Sequence, residues 1–417
     1  MEKINPIVGI DIGSSSVRTI IADIGRGDTD PRVIGIGIES SVGIRRGSVV
    51  DVTEVVKCIN ASVEAAERMA GIAVEDALVS IGGTGIVFQY AKGVVAVAKA
   101  DGEVTEEDLN RAISEAQVFQ VPANNEILHV IPRSFRLDDQ DGIRDPVGMK
   151  GVRLEVDALI IQSNSSQIKN LTKCVYQSGI EIADMVLSPL AASRAVLTKK
   201  QKELGVALVN IGGGTTSLAI YEEGDLLHTT ILPVGAGHIT NDIAIGLRTS
   251  IEVAERVKLE FGAACPDYVD KKEEIDLSLI DSGEEGVVSR HHVSEIIEAR
   301  LEELFELVHA ELRSAGKAGL LPAGIVLTGG GAKMPHIVEL AKEKLKLPMQ
   351  VGFPQGLGGI LDKVDDPSFT TAAGLVLWGA DQGSSKHASQ SGMTKMFSKN
   401  AGETMDTFRK LMKKFLP

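Results

Sequence analysis

Residues 8–22 read VGIDIGSSSVRTIIA, and residues 207–221 read ALVNIGGGTTSLAIY. In each, an apolar run passes through Asp or Asn to Ile-Gly, then to small hydroxylic residues, then to a second apolar run. Apolar runs broken by glycine and serine or threonine predict β-hairpins. The chain therefore carries one device twice. At the first bend Gly13, Ser14, Ser15 and Ser16 supply backbone N–H groups and hydroxyls, and at the second Gly212, Gly213, Gly214, Thr215 and Thr216 do the same. Polyphosphate oxygens need such donors and a backbone they can approach closely. Asp11, just before the first bend, is placed to hold Mg²⁺ through its waters, since a hard cation prefers oxygen ligands and stays hydrated. Asn210 has the matching place in the second hairpin.

Working outward, a third glycine turn lies in LTGGGA, residues 327–332, between a strand-like run and a helical one. A turn there brings Gly329, Gly330, Gly331, Ala332 and Lys333 against an adenosine and its phosphates. Between the second and third turns, VAERVKLEFG puts Glu255 and Lys258 on one helix face, able to grip a ribose and an adenine. The bland alternatives are tight turns without a ligand and a surface ion pair worth about 0.5 kcal/mol. Three turns and this helix together predict a nucleotide site.

The remaining pattern supports α/β organisation. Val55, Val56, Ile59, Val63, Ala66 and Met69 recur at helical spacing, and residues 78–81 read as a buried strand. From about residue 84 to 161 strands outnumber helices, and Thr105 with Asp108 predicts a capping box opening a helix through Ala116. This is an inserted α+β unit. Helices follow in NLTKCVYQ, LSPLAASRAVLT and residues 298–308, and FTTAAGLVLWG is the last packed element. DQGSSKHASQSGMT reads as a flexible linker.

The 417 residues suffice for two or more domains, and a net charge of −14 argues against nucleic acid as a partner. Cys58, Cys174 and Cys265 have no metal-ligand spacing and suit a reducing cytoplasm. The start lacks the pattern of a signal sequence, and no stretch approaches the roughly 20 apolar residues that span a bilayer. Membrane contact, if any, is peripheral.

Yet the chain ends GETMDTFRKLMKKFLP. At about 100° per residue, Met405, Phe408, Leu411, Met412, Phe415 and Leu416 share one side of a helix, with Arg409, Lys410, Lys413 and Lys414 opposite or flanking. Such a helix can lie in an anionic membrane surface. Each buried large side chain stabilises by about 1.5–3 kcal/mol, and each cation by about 1. One copy binds reversibly, and polymerisation adds avidity. The other possibility is docking on its own protein.

Two phosphate hairpins, an AExxK helix and a TGGG turn, in that order, resemble the actin, heat-shock chaperone and sugar-kinase superfamily. LHVIPRSFRLDDQDGIRDPVGMKGVRLE, residues 128–155, is similar to the signature of the FtsA family of bacterial cell-division proteins. The resemblance implies an actin-like α/β fold of two domains with duplicated ribonuclease-H-like cores and an inserted 1C subdomain of SHS2 type. The implied division is 1–83 for domain 1A, 84–161 for 1C, and 162–204 for the rest of 1A and the interdomain connection. Domain 2A takes 205–248, 2B takes 249–320, and 2A resumes over 321–360. Residues 361–381 return to 1A, 382–398 form the linker, and 399–417 form the membrane helix.

The resemblance further implies ATP with Mg²⁺ as cofactors, self-association into filaments, and recruitment of later division proteins through 1C. It implies that 2B holds the tail peptide of the ring protein FtsZ, with Arg290 and Arg300 on or beside the helix that matches that site. The location implied is cytoplasmic, on the inner face of the membrane at the septum. Two departures touch catalysis: Asn210 stands where many members have Asp, and Ser188 precedes Pro189 where hydrolytic relatives have Glu. A carboxylate there orients water, a contribution of roughly 10²–10⁴-fold, so the expectation is tight binding with slow turnover. Rival readings are a pilus-assembly adaptor of PilM type, which shares the insertion but as a family lacks the terminal anchor, and a small-molecule kinase. No peptide-binding domain follows to suggest a chaperone.

Overall fold

The computed structural model describes residues 5–25, 30–118, 122 and 124–387. The expected membrane helix, with Met405, Phe408, Arg409, Lys410, Leu411, Met412, Lys413, Lys414, Phe415 and Leu416, lies outside the described residues. Among the described residues no helix is long and apolar enough to cross a membrane.

Both expected hairpins form, and each nucleates a sheet. In the first, Pro6–Ile12 pairs antiparallel with Ser16–Asp23 and parallel with Asp76–Ile81. Arg32–Ser40 extends the sheet beyond the hairpin, and Glu181–Leu187 extends it beyond the parallel strand. In the second, Val206–Ile211 pairs antiparallel with Thr216–Glu222 and parallel with Ile325–Thr328. Asp225–Leu232 and Met349–Val351 flank these at the corresponding edges. Apart from the two-residue strand Gly358–Gly359, which adds a sixth strand beside Arg32–Ser40, the strand orders are the same, so the duplicated hairpin belongs to a duplicated half.

Strand alternation assigns the faces. Val206 and Leu208 turn into an apolar core shared with the first half, whereas Ala207, Val209 and Ile211 turn into the second half's own core. Helix Val52–Ala70 covers the first sheet with Val55, Ile59, Val63 and Ala66 inward, while Met69 is exposed. Asp51 caps its N-terminus and Gly71, at φ 72°, closes it in the left-handed conformation that favours glycine.

Residues between two elements of the first half, strand Asp76–Ile81 and helix Ser165–Gln177, build a separate unit. Ile86–Ala96, Arg153–Asn164, Asn125–Leu137 and Gln140–Ile143 form a four-stranded sheet, with helix Glu106–Val118 packed on it over its own core. The capping box forms as expected: Asp108 N donates to Thr105 Oγ1 at 3.2 Å and Thr105 N to Asp108 Oδ2 at 3.0 Å. Asp108 is fully buried and also accepts from Ala98 N and Arg111. Burial works to raise its pKa, but the Thr105, Arg111 and Ala98 donors outweigh it and hold the carboxyl well below the usual carboxylate range. A depressed folded pKa means stability present above the unfolded value of about 3.9 and lost as pH falls from there toward the folded one. Asp108→Ala is expected to cost about 2 kcal/mol at pH 7. Urea melts should show its deficit against wild type shrinking below about pH 4.

Helix Thr370–His387 starts beside the second sheet, where Thr328 Oγ1 donates to Thr370 Oγ1 at 3.2 Å. It ends on the first, with Arg194 on Asp381 at 2.7 Å and Gln382 on Asp184 at 2.9 Å. It therefore runs beyond residue 382, where the linker was expected to begin. Serine and glycine lower helix propensity, but they do not stop a helix already propagating from a packed start.

Candidate functional site

The two hairpin bends close in the same way: Gly13 N donates to Ser16 O at 3.1 Å, and Gly212 N to Thr215 O at 2.9 Å. They face each other so closely that a Cβ on Gly213 would stand 2.9 Å from Ser15 Cβ, and one on Gly214 3.0 Å from Ser14 Cβ. Around this junction lies a cavity of about 500 Å³ between the halves. It is walled by Asp11, Gly13, Ser14, Ser15, Ser16, Asn210, Gly212, Gly213, Gly214, Thr215, Glu255, Lys258, Gly329, Gly330, Gly331 and Lys333. Three glycine turns and one helix, far apart in sequence, thus converge on one space.

Thr216 and Ala332 lie off that wall. Thr216 opens its strand opposite Ile211 and is fully buried, because the hairpin register matches Thr215, not Thr216, with Ser16. Ala332 turns into the second half's core. Counting hydroxyls along the sequence does not reveal that register.

The cavity wall has two unlike parts. In one, the second half supplies Ala236, Ile239, Glu255, Lys258, Leu259 and Met334. Lys258 is buried, and its Nζ donates to Glu255 Oε2 at 2.6 Å and to Thr240 Oγ1 at 2.8 Å. Leu259, 72% exposed, flanks this pair with apolar surface suited to a planar base. Lys333 is tied to Asp366 at 2.6 Å, holding the third glycine turn to the start of the Pro367–Phe369 turn.

The other part comes from Gly47, Gly82, Gly83 and Ser188, all of the first half. Ser188 opens helix Ser188–Val196, and its Oγ donates to Ile81 O at 3.0 Å. Gly82 and Gly83, like the other turns, follow an apolar strand, a signal available in the sequence. Gly47 gave none, since it arrives on the tip of a short hairpin, Ile44–Arg45 with Ser48–Val49.

Electrostatics favour an anion beside a cation. Asp11 Oδ1 accepts from Ser80 Oγ at 2.7 Å, and Arg18 lies opposite Asp11 in the hairpin register. Burial raises the Asp11 pKa, offset in part by Ser80 and Arg18. Burial also lowers that of Arg18, offset by Asp11 and Asp366. Ser16 Oγ and Arg18 Nε are buried on this wall with no hydrogen-bond partner among the described residues. Orphaned donors in a glycine-lined cradle fit phosphate oxygens. The carboxylate, amide and hydroxyl oxygens around them fit a hydrated Mg²⁺, although among the described residues no cluster of three metal-ligating side chains forms.

The two arginines expected at a partner site lie on helix Arg290–Ser314, away from the cavity. Arg290 grips Glu273 through both carboxylate oxygens at 2.9 and 2.8 Å and donates to Phe261 O. Arg300 pairs with Asp242 and with Glu303. Both are engaged within the protein.

Two halves of one strand order around a glycine-lined cleft define the actin-like class. Solved structures of that fold match across the chain: a PilM–PilN type IV pilus biogenesis complex at TM-score 0.67 and 15% identity, covering 90% of this chain and 99% of that one. MreB 5 of Spiroplasma citri bound to AMPPNP matches at TM-score 0.56 and 15% identity, covering 93% and 100%. At such identity the likeness is one of fold. The family model "Cell division protein FtsA" matches residues 207–374, and "SHS2 domain inserted in FTSA" matches 83–162. Cell division protein FtsA of Pseudomonas aeruginosa is 39% identical over 373 residues, 89% of each chain. That of Bacillus subtilis is 42% identical over 369 residues, 88% of this chain and 82% of the relative. The chain belongs to the FtsA family of cell-division proteins.

Proposed function

We propose that the chain binds ATP with Mg²⁺ in the cleft and assembles with copies of itself beneath the cell membrane. There it ties the FtsZ ring to the inner face of the membrane through residues 399–417 and recruits later division proteins through the inserted domain. The observation that carries this reading is the pair of hairpins in one register, meeting across a cavity of about 500 Å³. A further support is that MreB 5, of the same fold, was solved bound to AMPPNP and to ADP.

The two bends would hold the phosphates, with Ser16 Oγ and Arg18 as donors. Glu255, Lys258 and the Gly329–Lys333 turn would hold the nucleoside. Asp11, with Asn210 across the cleft, would hold Mg²⁺ through water, and the ion would neutralise charge on the terminal phosphates. Turnover is slow on this reading. The helix that meets the cavity wall beside Gly82 begins with Ser188, whose hydroxyl is committed to Ile81 O. Asp11 and Glu255 are the carboxylates on the wall, and Glu255 sits at the nucleoside end in the hands of Lys258. For the FtsZ tail, an acidic peptide would exchange with Glu303 or Glu273 on Arg300 or Arg290.

Sedimentation with anionic vesicles tests the tether. The full chain with ATP should pellet with the vesicles, and a chain ended after Gly392 should stay in the supernatant. Equal pelleting of the two proteins, or failure of the full chain to pellet, would sink the membrane reading.

A further inference from the structure

The inserted domain leaves and rejoins the first half at two adjacent crossings. The chain goes out through Gly82–Gly85 into strand Ile86–Ala96 and returns from Arg153–Asn164 into helix Ser165–Gln177. Ser163 pairs with Ile86, so the crossings lie side by side. The outgoing crossing is itself part of the cavity wall, through Gly82 and Gly83.

Gln167, on the first turn of the returning helix, brackets the two. Its Nε2 donates to Gly82 O at 2.6 Å and to Gly47 O at 3.2 Å, and its Oε1 accepts from Ser163 Oγ at 3.3 Å. Gly47 and Gly83 are packed backbone to backbone, a Cβ on Gly83 standing 2.9 Å from Gly47 Cα. Gly47 N donates to Ser14 Oγ at 3.1 Å. Because that hydroxyl oxygen accepts from Gly47, its own proton is left to donate elsewhere. One chain of contacts therefore runs from the first phosphate bend, through Gly47 and Gly82, to Gln167 and the root of the insert.

We propose that Gln167 is a positioning residue that ties occupancy of the terminal-phosphate end of the cleft to the orientation of the inserted domain. This rests on the nucleotide reading above. A triphosphate whose nucleoside lies against Glu255 and Lys258 sends its last phosphate toward Gly47, Gly82 and Gly83, and a diphosphate stops short. Drawing those N–H groups inward moves Gly82 O and Gly47 O, and Gln167 carries the movement to both crossings. The far side of the insert has something to press against. Tyr90 Oη lies 3.3 Å from Leu227 O and 3.2 Å from His228 Nδ1, and Arg144 donates to Glu223 O at 2.7 Å, all in the second half.

The test uses the full chain, wild type, Gln167→Glu and Gln167→Met. Both variants fill the same space but cannot donate to the two carbonyls. Affinities for ATP and ADP are measured, together with the distance between labels at Asp139→Cys on the insert and Lys271→Cys on the second half. Native Cys58, Cys174 and Cys265 are buried, which keeps labelling selective. Wild type should prefer ATP, with a label distance that differs between ATP and ADP. The variants should keep ADP affinity, lose about tenfold of the ATP preference, and show one distance with either nucleotide. Both variants retaining the wild-type preference and the distance change would overturn the coupling and leave the nucleotide site standing. Wild type failing to bind ATP would overturn both.

Discussion

Gly213→Val protein is expected to lose ATP affinity by about 100-fold or more, roughly 2.7 kcal/mol, while remaining folded, with a lowered unfolding temperature, in the absence of nucleotide. A Cβ at this position meets Ser15 Cβ at 2.9 Å and its Oγ closer still. Neither bend can yield far, since each is fastened across its base by a backbone hydrogen bond at 3.1 or 2.9 Å. The two bends must then stand apart, and a phosphate can no longer be gripped from both sides at once. Gly213 does not require a positive φ, so a side chain there costs the isolated turn little. Titration calorimetry with ATP, alongside thermal melts, separates the two effects. Wild-type affinity would show that the bends do not hold the ligand jointly.

The second large effect is on folding. Gly374→Val should destabilise the protein by about 3–5 kcal/mol or prevent its accumulation in soluble form. Gly374 sits on helix Thr370–His387 where it presses on helix Ser188–Val196, and a Cβ there would be 3.0 Å from Ala191 Cα and nearer still to the Ala191 carbonyl. Ala191 and Ala372 are fully buried, so neither helix can withdraw without opening the core. Both helices also pack on residues of the first sheet: a Cβ on Gly9 would be 2.8 Å from Ala372 O. Gly379→Ala, which meets the side chains of Ile7 and Leu78 at 2.8 and 2.9 Å and not backbone, should cost less. Urea denaturation that ranks the two in the opposite order would contradict this account.

Much of the architecture could be read from residues 8–22 and 207–221 because each hairpin packs three signals into fifteen positions: strand alternation, a glycine bend and a fixed polar residue before it. The helix bearing Glu255 and Lys258 was legible for the same reason, being set by local spacing. Local patterns fail where contacts are distant in sequence. Gly47 reaches the wall only because a short hairpin folds back beside Gly83, and Arg18 becomes a wall residue only through cross-strand pairing with Asp11. The distant partners of Arg290 and Arg300 were equally hidden, whereas Glu303 lies one helical turn from Arg300. Glu273 and Asp242 are brought to them by turns and helices with no marked periodicity relative to the arginines. Thr216 shows the converse limit, since a hydroxyl in the right sequence neighbourhood sits one register step off the wall.

Helix Thr370–His387 begins against the second sheet and finishes bolted to the first by Arg194–Asp381 and Asp184–Gln382. Whatever the chain does after residue 387, it departs from the same half that bears the insert. Load on the tail would therefore enter the molecule through the first sheet and its guest domain.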